Sequence, residues 1–187
     1  YLQSKDNKIP VSALILNSPF LDMNMSWFME EVVIPVISFI GNYFPNLEVE
    51  GKGISQYAHS LLKRIHGEWE YNENWKKTTG HPKKAGWIHA IHKGHQTIQK
   101  GLNLTCPILV MSSDKSIPET KIWNELYHTS DIVLDVKDIQ KYGKMLGRRV
   151  TCKQIHNGKH DLILSNEPAR KETYQVIFSW LKQQSGK

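Results

Sequence analysis

Two residues that could act as an acid–base pair stand in loops of the C-terminal half. His160 lies in residues 155–162 (IHNGKHDL), just after an apolar run, and Asp131 lies in residues 129–136 (TSDIVLDV), before a predicted helix. A serine hydroxyl is a weak nucleophile at neutral pH, so acyl-transfer hydrolysis needs a histidine to accept its proton and a carboxylate to orient that histidine. Residue types and chain order fit two members of a Ser-acid-His triad, and they fit a surface loop histidine and a helix-capping aspartate equally well.

The sequence does not supply an obvious nucleophile for this pair. The 187 residues contain no Gly-x-Ser-x-Gly motif, which forms the sharp strand-to-helix turn that exposes a catalytic serine. The nearest partial match, GISQY around Ser55, lacks the second glycine and follows no predicted strand. Cys152 lies inside a predicted strand, and we interpret it as a core residue.

A histidine series elsewhere in the chain could suggest a metal site. His89, His92 and His95 recur at three-residue intervals on a predicted helix, and such a spacing can bring imidazoles to one helix face. Three steps of this kind fan around the helix, no carboxylate completes the set, and His95 belongs to the apolar stripe. We therefore predict neither a metal nor another cofactor.

The acid–base pair must be positioned by strands and helices that alternate along the chain. Three compact apolar runs predict strands at residues 11–17, 107–113 and 149–155. We expect the first two strands to be buried on both faces of a parallel sheet and the third to lie nearer an edge. Helices are predicted over 136–146, stopped by Gly147, and from Pro168 onward. This pattern predicts an α/β fold, a parallel sheet with flanking helices, with both candidate residues beyond the carboxyl ends of strands.

An insertion separates the first two predicted strands. Roughly 75 residues lie between them, whereas a helical crossover needs far fewer. Ser26 predicts the start of an aromatic-rich helix, and the apolar residues of 88–102 predict an amphipathic helix that leads into the second strand. We divide the chain into a core segment 1–22, an inserted region 23–90 and a C-terminal core region 91–187.

Composition narrows the class of protein. With 40% hydrophobic residues the chain can bury a core, and its longest uncharged apolar stretch, 32–44, is too short and interrupted for a membrane span.

Two cysteines, both in or beside strands, favour a reducing, cytoplasmic compartment. The net charge of +6 comes partly from scattered basic pairs, so we predict no nucleic-acid partner. The chain starts without Met or a signal pattern, and we expect a fragment or a processed product.

Three motifs resemble the α/β-hydrolase superfamily, specifically its serine aminopeptidase and monoacylglycerol lipase-like branch: residues 14–22 (LILNSPFLD), 131–136 (DIVLDV) and 158–165 (GKHDLILS). The resemblance implies that Asp131 is the triad acid, that His160 is the base, and that 23 to about 90 form a lid over the substrate pocket. It also implies that the nucleophile and oxyanion-hole amides precede Tyr1. The chain would then be the C-terminal half of the fold, inactive alone, in a protein that cleaves a carboxylic ester, lipid-like or monoglyceride-like.

The chain departs from that family pattern at the acid. In many relatives the acid follows its strand almost at once, which here would favour Asp114. We prefer Asp131, because the Asp-x-Val-Leu pattern and a helix follow it, and geometry decides between them. We expect Asp161 to form loop hydrogen bonds and interpret Asp22 and Asp135 as structural.

Two further questions stay open at the level of sequence. The alternative to an enzyme is a non-catalytic α/β binding or interaction module, and ester and amide substrates are not separated. A half sheet would expose an unpaired strand edge near Val11, so we expect the chain to dimerise, to bind the missing half or to aggregate.

Overall fold

Strands and helices alternate along the chain, with a largely helical segment after the first strand. In the computed structural model, which describes residues 11–50, 53 and 55–185, the chain divides into two compact units, Tyr1–Asp22 with Ile98–Lys187, and Met23–Thr97. The strands are β1 (Leu14–Asn17), β2 (Glu48–Glu50), β3 (Lys83–Lys84), β4 (Ile108–Ser113) and β5 (Val150–Ile155). The α-helices are α1 (Ile34–Tyr43), α2 (Gln56–Leu61), α3 (Ala85–Gln99), α4 (Val136–Gly143) and α5 (Glu167–Ser185).

The first unit is built on a parallel sheet in the order β1-β4-β5. The central strand β4 is buried along its whole length, as predicted. Among the described residues β5 pairs with β4 alone, in agreement with its predicted place nearer an edge. Both faces of β1 pack against apolar clusters, as predicted, with Leu14 and Leu16 on one side and Ile15 on the other. Its residues are only half-buried, however, and not fully buried as expected. The physical reason is that β4 is the one strand paired with β1 among the described residues.

Helices cover both faces of this sheet. Side chains of β4 alternate between two apolar clusters, with Ile108 and Val110 packing near Ile139 of α4, and Leu109 and Met111 packing near Trp180 of α5. This two-residue period is that of a strand with a core on each face. The mixed α/β architecture with a parallel sheet and flanking helices is thereby confirmed.

The helix α4 ends at Gly143, earlier than the predicted end at Leu146. Gly147, expected to stop the helix, has another role. A Cβ added to Gly147 would lie 2.5 Å from the carbonyl oxygen of Leu104. The backbones of Gly147 and Leu104 form an isolated parallel bridge. The glycine is therefore required by close backbone packing, while the side chain of Leu146 fills the core.

The second unit combines short helices with a small sheet. Helical structure begins after Ser26, whose carbonyl oxygen accepts the Glu30 amide at 3.0 Å, as predicted. A π-helical turn at Met29–Val33 precedes α1, close to a proline that cannot donate a backbone hydrogen bond. Strands β2 and β3 pair antiparallel, a pairing that the sequence did not predict. Across the described part of the chain, no helix combines the length and apolarity needed to cross a bilayer.

Candidate active site

Asp131 is returned to the end of β4 by backbone pairing. After β4 ends at Ser113, residues 115–131 form a long loop, the excursion, that returns to the strand end. There the Asp131 amide donates to the Lys115 carbonyl oxygen at 3.0 Å. The Ile117 amide donates to the Asp131 carbonyl, also at 3.0 Å. These two bonds close the base of the excursion. An acid well beyond its strand in sequence thus lies next to the strand end in space.

The excursion is held by a buried tyrosine. The Tyr127 hydroxyl accepts the Thr120 amide at 2.9 Å, and its ring meets the Trp123 ring edge-on with centroids 5.5 Å apart. Tyr127 is only 1% exposed. A buried hydroxyl with a backbone partner fixes the loop that returns Asp131.

The carboxylate of Asp131 is fully buried and hydrogen-bonded through both oxygens. Its Oδ1 accepts the backbone amides of Val133 at 2.8 Å and Leu134 at 2.9 Å. Its Oδ2 lies 3.0 Å from Nδ1 of His160, whose side chain is 23% exposed. Hydrogen bonds of this kind offset the cost of removing a carboxylate from water. The structure therefore brings together the two residues singled out in the sequence.

His160 lies on a tight loop after β5. Asn157 adopts a left-handed φ of 54°, and Gly158 follows at a position where a Cβ would lie 2.6 Å from Cδ2 of Leu162. The amide of Lys159 donates to Oγ of Ser165 at 2.8 Å. Turn geometry and close packing thus define the path of the backbone on the way to His160.

Asp114, the alternative acid, contacts a different histidine. Its Oδ2 lies 2.8 Å from Nδ1 of His156, and its Oδ1 accepts the Asn157 amide at 3.1 Å. The His156 side chain is 75% exposed, whereas the Asp131–His160 pair is mostly enclosed. The position directly after the strand is therefore occupied by an acid that binds the histidine loop at its beginning.

The remaining acids have structural partners, as predicted. Asp161 Oδ1 accepts the Ile163 amide at 3.2 Å within the loop. Asp22 Oδ1 accepts from the Gln99 side chain at 3.0 Å. Asp135 Oδ1 caps α4 by accepting the Lys137 amide at 2.9 Å.

The other candidate nucleophiles and ligands have ordinary environments. Ser55 caps α2, its Oγ accepting the Ala58 amide at 3.2 Å. Burial raises the pKa of the Cys152 thiol, which disfavours the reactive thiolate. Nδ1 of His89 lies 2.8 Å from the Ser38 carbonyl oxygen. The pKa of His92 is lowered, first by burial and then by the nearby charge of Lys93. No cluster of metal-binding side chains is found among the residues that the structure describes.

Asn17 was missed as a component of this region. It ends β1, and its Nδ2 donates to Asp161 Oδ1 at 2.7 Å while its Oδ1 accepts the Leu162 amide at 3.2 Å. The next residue, Ser18, has a left-handed φ of 44°, and its amide donates to the Met111 carbonyl oxygen at 2.9 Å. A strained backbone of this kind persists only where its surroundings fix it. An asparagine at a strand end was the available signal, but its partner is far away in sequence.

A parallel sheet covered by helices, with an acid and a histidine beyond its strand ends, is the arrangement found in the α/β-hydrolase fold. Two solved lipase structures share the fold of this chain. A monoacylglycerol lipase from Paleococcus ferrophilus has a TM-score of 0.63 and 13% identity, with 97% of this chain and 62% of that structure covered. A soluble variant of monoglyceride lipase from Saccharomyces cerevisiae, in complex with a substrate analog, has a TM-score of 0.62 and 11% identity, with 98% and 60% covered.

These similarities establish the fold. The chain spans 62% and 60% of the lengths of the two lipases. No family model and no curated protein sequence matches it.

Proposed function

We propose that this chain carries the acid and the base of a serine hydrolase that cleaves a carboxylic ester. The observation that carries the proposal is the buried Asp131 carboxylate 3.0 Å from Nδ1 of His160. A buried, hydrogen-bonded acid facing one imidazole nitrogen is what a triad requires to select the tautomer and orientation of its histidine. The exposed Asp114–His156 pair lacks this enclosure.

The proposed reaction assigns one proton to His160 at each step. With Nδ1–H donated to Asp131, Nε2 accepts the proton of a serine hydroxyl as its oxygen attacks the ester carbonyl carbon. The imidazolium is stabilised by the Asp131 carboxylate and gives its proton to the departing alcohol, which leaves an acyl-serine. Water then attacks the acyl-serine with His160 as base, which releases the carboxylic acid and restores the serine.

The serine and the oxyanion-hole amides are proposed to come from strands that precede this chain. Support comes from β1, whose half-buried residues pair with β4 on one side among the described residues. The greater length of the two lipase structures agrees with a missing part of the fold. On this proposal the 187-residue chain alone cleaves nothing.

The proposed substrate is an ester with a long acyl chain. Both structural relatives are described as monoacylglycerol or monoglyceride lipases. In the unit Met23–Thr97, large apolar side chains are exposed near α1, among them Trp27, Phe39 and Phe44 at 73%, 66% and 67%. Apolar surface of this kind suits an acyl chain, so we assign residues 23–90 as the lid. We also assign a cytoplasmic location, because both cysteines are free thiols.

The test uses the full-length protein that contains this chain. We expect it to hydrolyse a long-chain monoacylglycerol, and to hydrolyse a p-nitrophenyl ester in preference to the matched anilide. Phe39→Ser should lower kcat/KM more for esters with long acyl chains than for esters with short ones. His160→Ala should abolish both ester activities. If the full-length protein hydrolyses no ester yet binds a partner or ligand, the non-catalytic α/β module replaces the hydrolase.

A further inference from the structure

The loop that carries His160 is fastened at its beginning by Asp114. The carboxylate accepts the backbone amide of Asn157 at 3.1 Å and lies 2.8 Å from Nδ1 of His156. The neighbouring Lys115 donates from Nζ to Oδ1 of Asn157 at 2.8 Å. Asp114 directly follows the fully buried strand β4. The start of the loop is thereby tied to the most buried strand of the sheet.

The same loop is fastened beyond His160 by Asn17. This side chain makes two bonds in opposite senses, donating to Asp161 Oδ1 at 2.7 Å and accepting from the Leu162 amide at 3.2 Å. An amide group is suited to such a pair, since it has a donor and an acceptor side by side. The far side of the loop is thereby tied to the end of β1.

We propose that Asp114 and Asn17 are positioning residues for His160, which act on turnover through the imidazole. The inference rests on the proposed hydrolase function. His160 lies between the two attachments, three residues after Asn157 and immediately before Asp161. Its bond to Asp131 fixes one ring nitrogen, whereas the two attachments fix the backbone that carries the ring. A general base has to stay within hydrogen-bond reach of the proton it removes.

Loss of either attachment should affect the reaction more than the fold. A contact as exposed as that between Asp114 and His156 contributes little to stability, and Asn17 contributes two of the many hydrogen bonds in the structure. A catalytic constellation, in contrast, has to be held within about 0.5 Å of its productive geometry. Loosening the loop should therefore lower kcat by about 10- to 100-fold while KM changes little.

The experiment compares variants of the full-length protein on a short-chain p-nitrophenyl ester. Asp114→Ala and Asn17→Ala should each lower kcat without a matching rise in KM. Asp114→Asn should recover most of the loss, since its amide oxygen still accepts from Asn157 and its NH₂ can donate to a neutral His156. Glu167→Gln, which disrupts the exposed pair with Lys171, is the matched surface control and should leave kcat unchanged.

A second readout does not depend on turnover. In the ¹H–¹⁵N NMR spectrum of histidine-labelled protein, the His160 Nδ1 proton bonded to Asp131 should give a downfield resonance. Asp114→Ala and Asn17→Ala should broaden or shift it, and Glu167→Gln should not. If the wild type cleaves no ester but the resonance still responds, the hydrolase proposal fails and the positioning role stands. If both alanine variants keep the wild-type kcat, the positioning role is overturned. If the wild type shows no turnover, an unchanged His160 resonance in both variants overturns it. If Asp114→Ala fails to fold, Asn17→Ala and the exposed-site variant His156→Ala decide by the same criteria.

Discussion

At the residue scale, the two oxygens of the Asp131 carboxylate have different hydrogen-bond partners. Oδ1 accepts two backbone amides, and Oδ2 faces Nδ1 of His160. Because backbone donors hold one oxygen in place, the other is presented to the imidazole in a fixed direction. In the proposed triad, Asp131 would therefore orient the histidine with no conformational change of its own.

Asp131→Asn should remove most of the activity of the full-length protein. An amide that keeps its oxygen on the backbone amides of Val133 and Leu134 turns NH₂ toward Nδ1, which favours the wrong imidazole tautomer. We expect kcat to fall by about 10³- to 10⁴-fold, measured as ester hydrolysis. Asp135→Asn is the matched control from the same segment and should retain activity. A wild-type kcat in Asp131→Asn would contradict the assignment.

Sequence reasoning identified Asp131 and His160 because residue type, chain order and position after apolar runs are local signals. It could not settle the choice between Asp131 and Asp114. The feature that brings Asp131 to His160 is the backbone pairing of Asp131 with Lys115 and Ile117, which exists only once the excursion has folded. The role of Asn17 was hidden for the same reason, since its partners lie more than a hundred residues away, with separations of 144 and 145.

At the element scale, strands and long helices were predictable and short pairings were not. The fully buried β4 and the apolar stripe of α5 have strong periodic patterns. In contrast, β2 and β3 contain only Glu48–Glu50 and Lys83–Lys84, too short for any hydrophobic alternation to be visible. Their pairing of acidic with basic residues is a long-range contact that local propensity does not encode.

Gly147→Ala should destabilise the protein through the close contact between Gly147 and Leu104. The new Cβ would lie 2.5 Å from a backbone oxygen, which cannot move aside like a side chain, so we expect a loss of about 1–3 kcal/mol in urea unfolding. Gly94→Ala is the control, because nothing lies within 4 Å of its added Cβ and alanine favours a helix by about 0.5–1 kcal/mol. Equal stability changes in the two variants would refute this packing role.

The stability contributed by α4 should depend on pH through Asp138. Burial, and then Asp22 and Asp135, raise the pKa of the Asp138 carboxyl above its ordinary value of 3.8. The folded state therefore favours the protonated acid, so stability falls as pH rises from the unfolded-state pKa through the raised folded-state pKa. Asp138→Asn should raise the urea midpoint near neutral pH and lose this advantage at about pH 3.

A matched acid should behave in the opposite sense. The hydrogen bond from Lys171 lowers the pKa of Glu167, so its contribution is present at neutral pH and is lost as pH falls through the folded-state value. Glu167→Gln should thus lower the neutral-pH midpoint slightly or leave it unchanged. An Asp138→Asn variant that is less stable than wild type at neutral pH would contradict the pKa shift.

At the scale of the whole molecule, β1, which pairs with β4 alone among the described residues, should govern association. An edge strand presents unpaired backbone donors and acceptors to other chains. We expect the 187-residue chain to form dimers or larger species in light scattering at high concentration. Co-expression with the segment that precedes it in the full-length protein should yield a stable one-to-one complex. A purely monomeric chain at high concentration would count against an open edge.

The central claim is that Asp131 and His160 serve a serine located before Tyr1, and fluorophosphonate labelling of the full-length protein followed by peptide mass spectrometry tests it most directly. We expect stoichiometric labelling of one serine upstream of Tyr1, and loss of that labelling in His160→Ala. Labelling of a serine within residues 1–187, or labelling of an upstream serine that persists unchanged in His160→Ala, would contradict the claim.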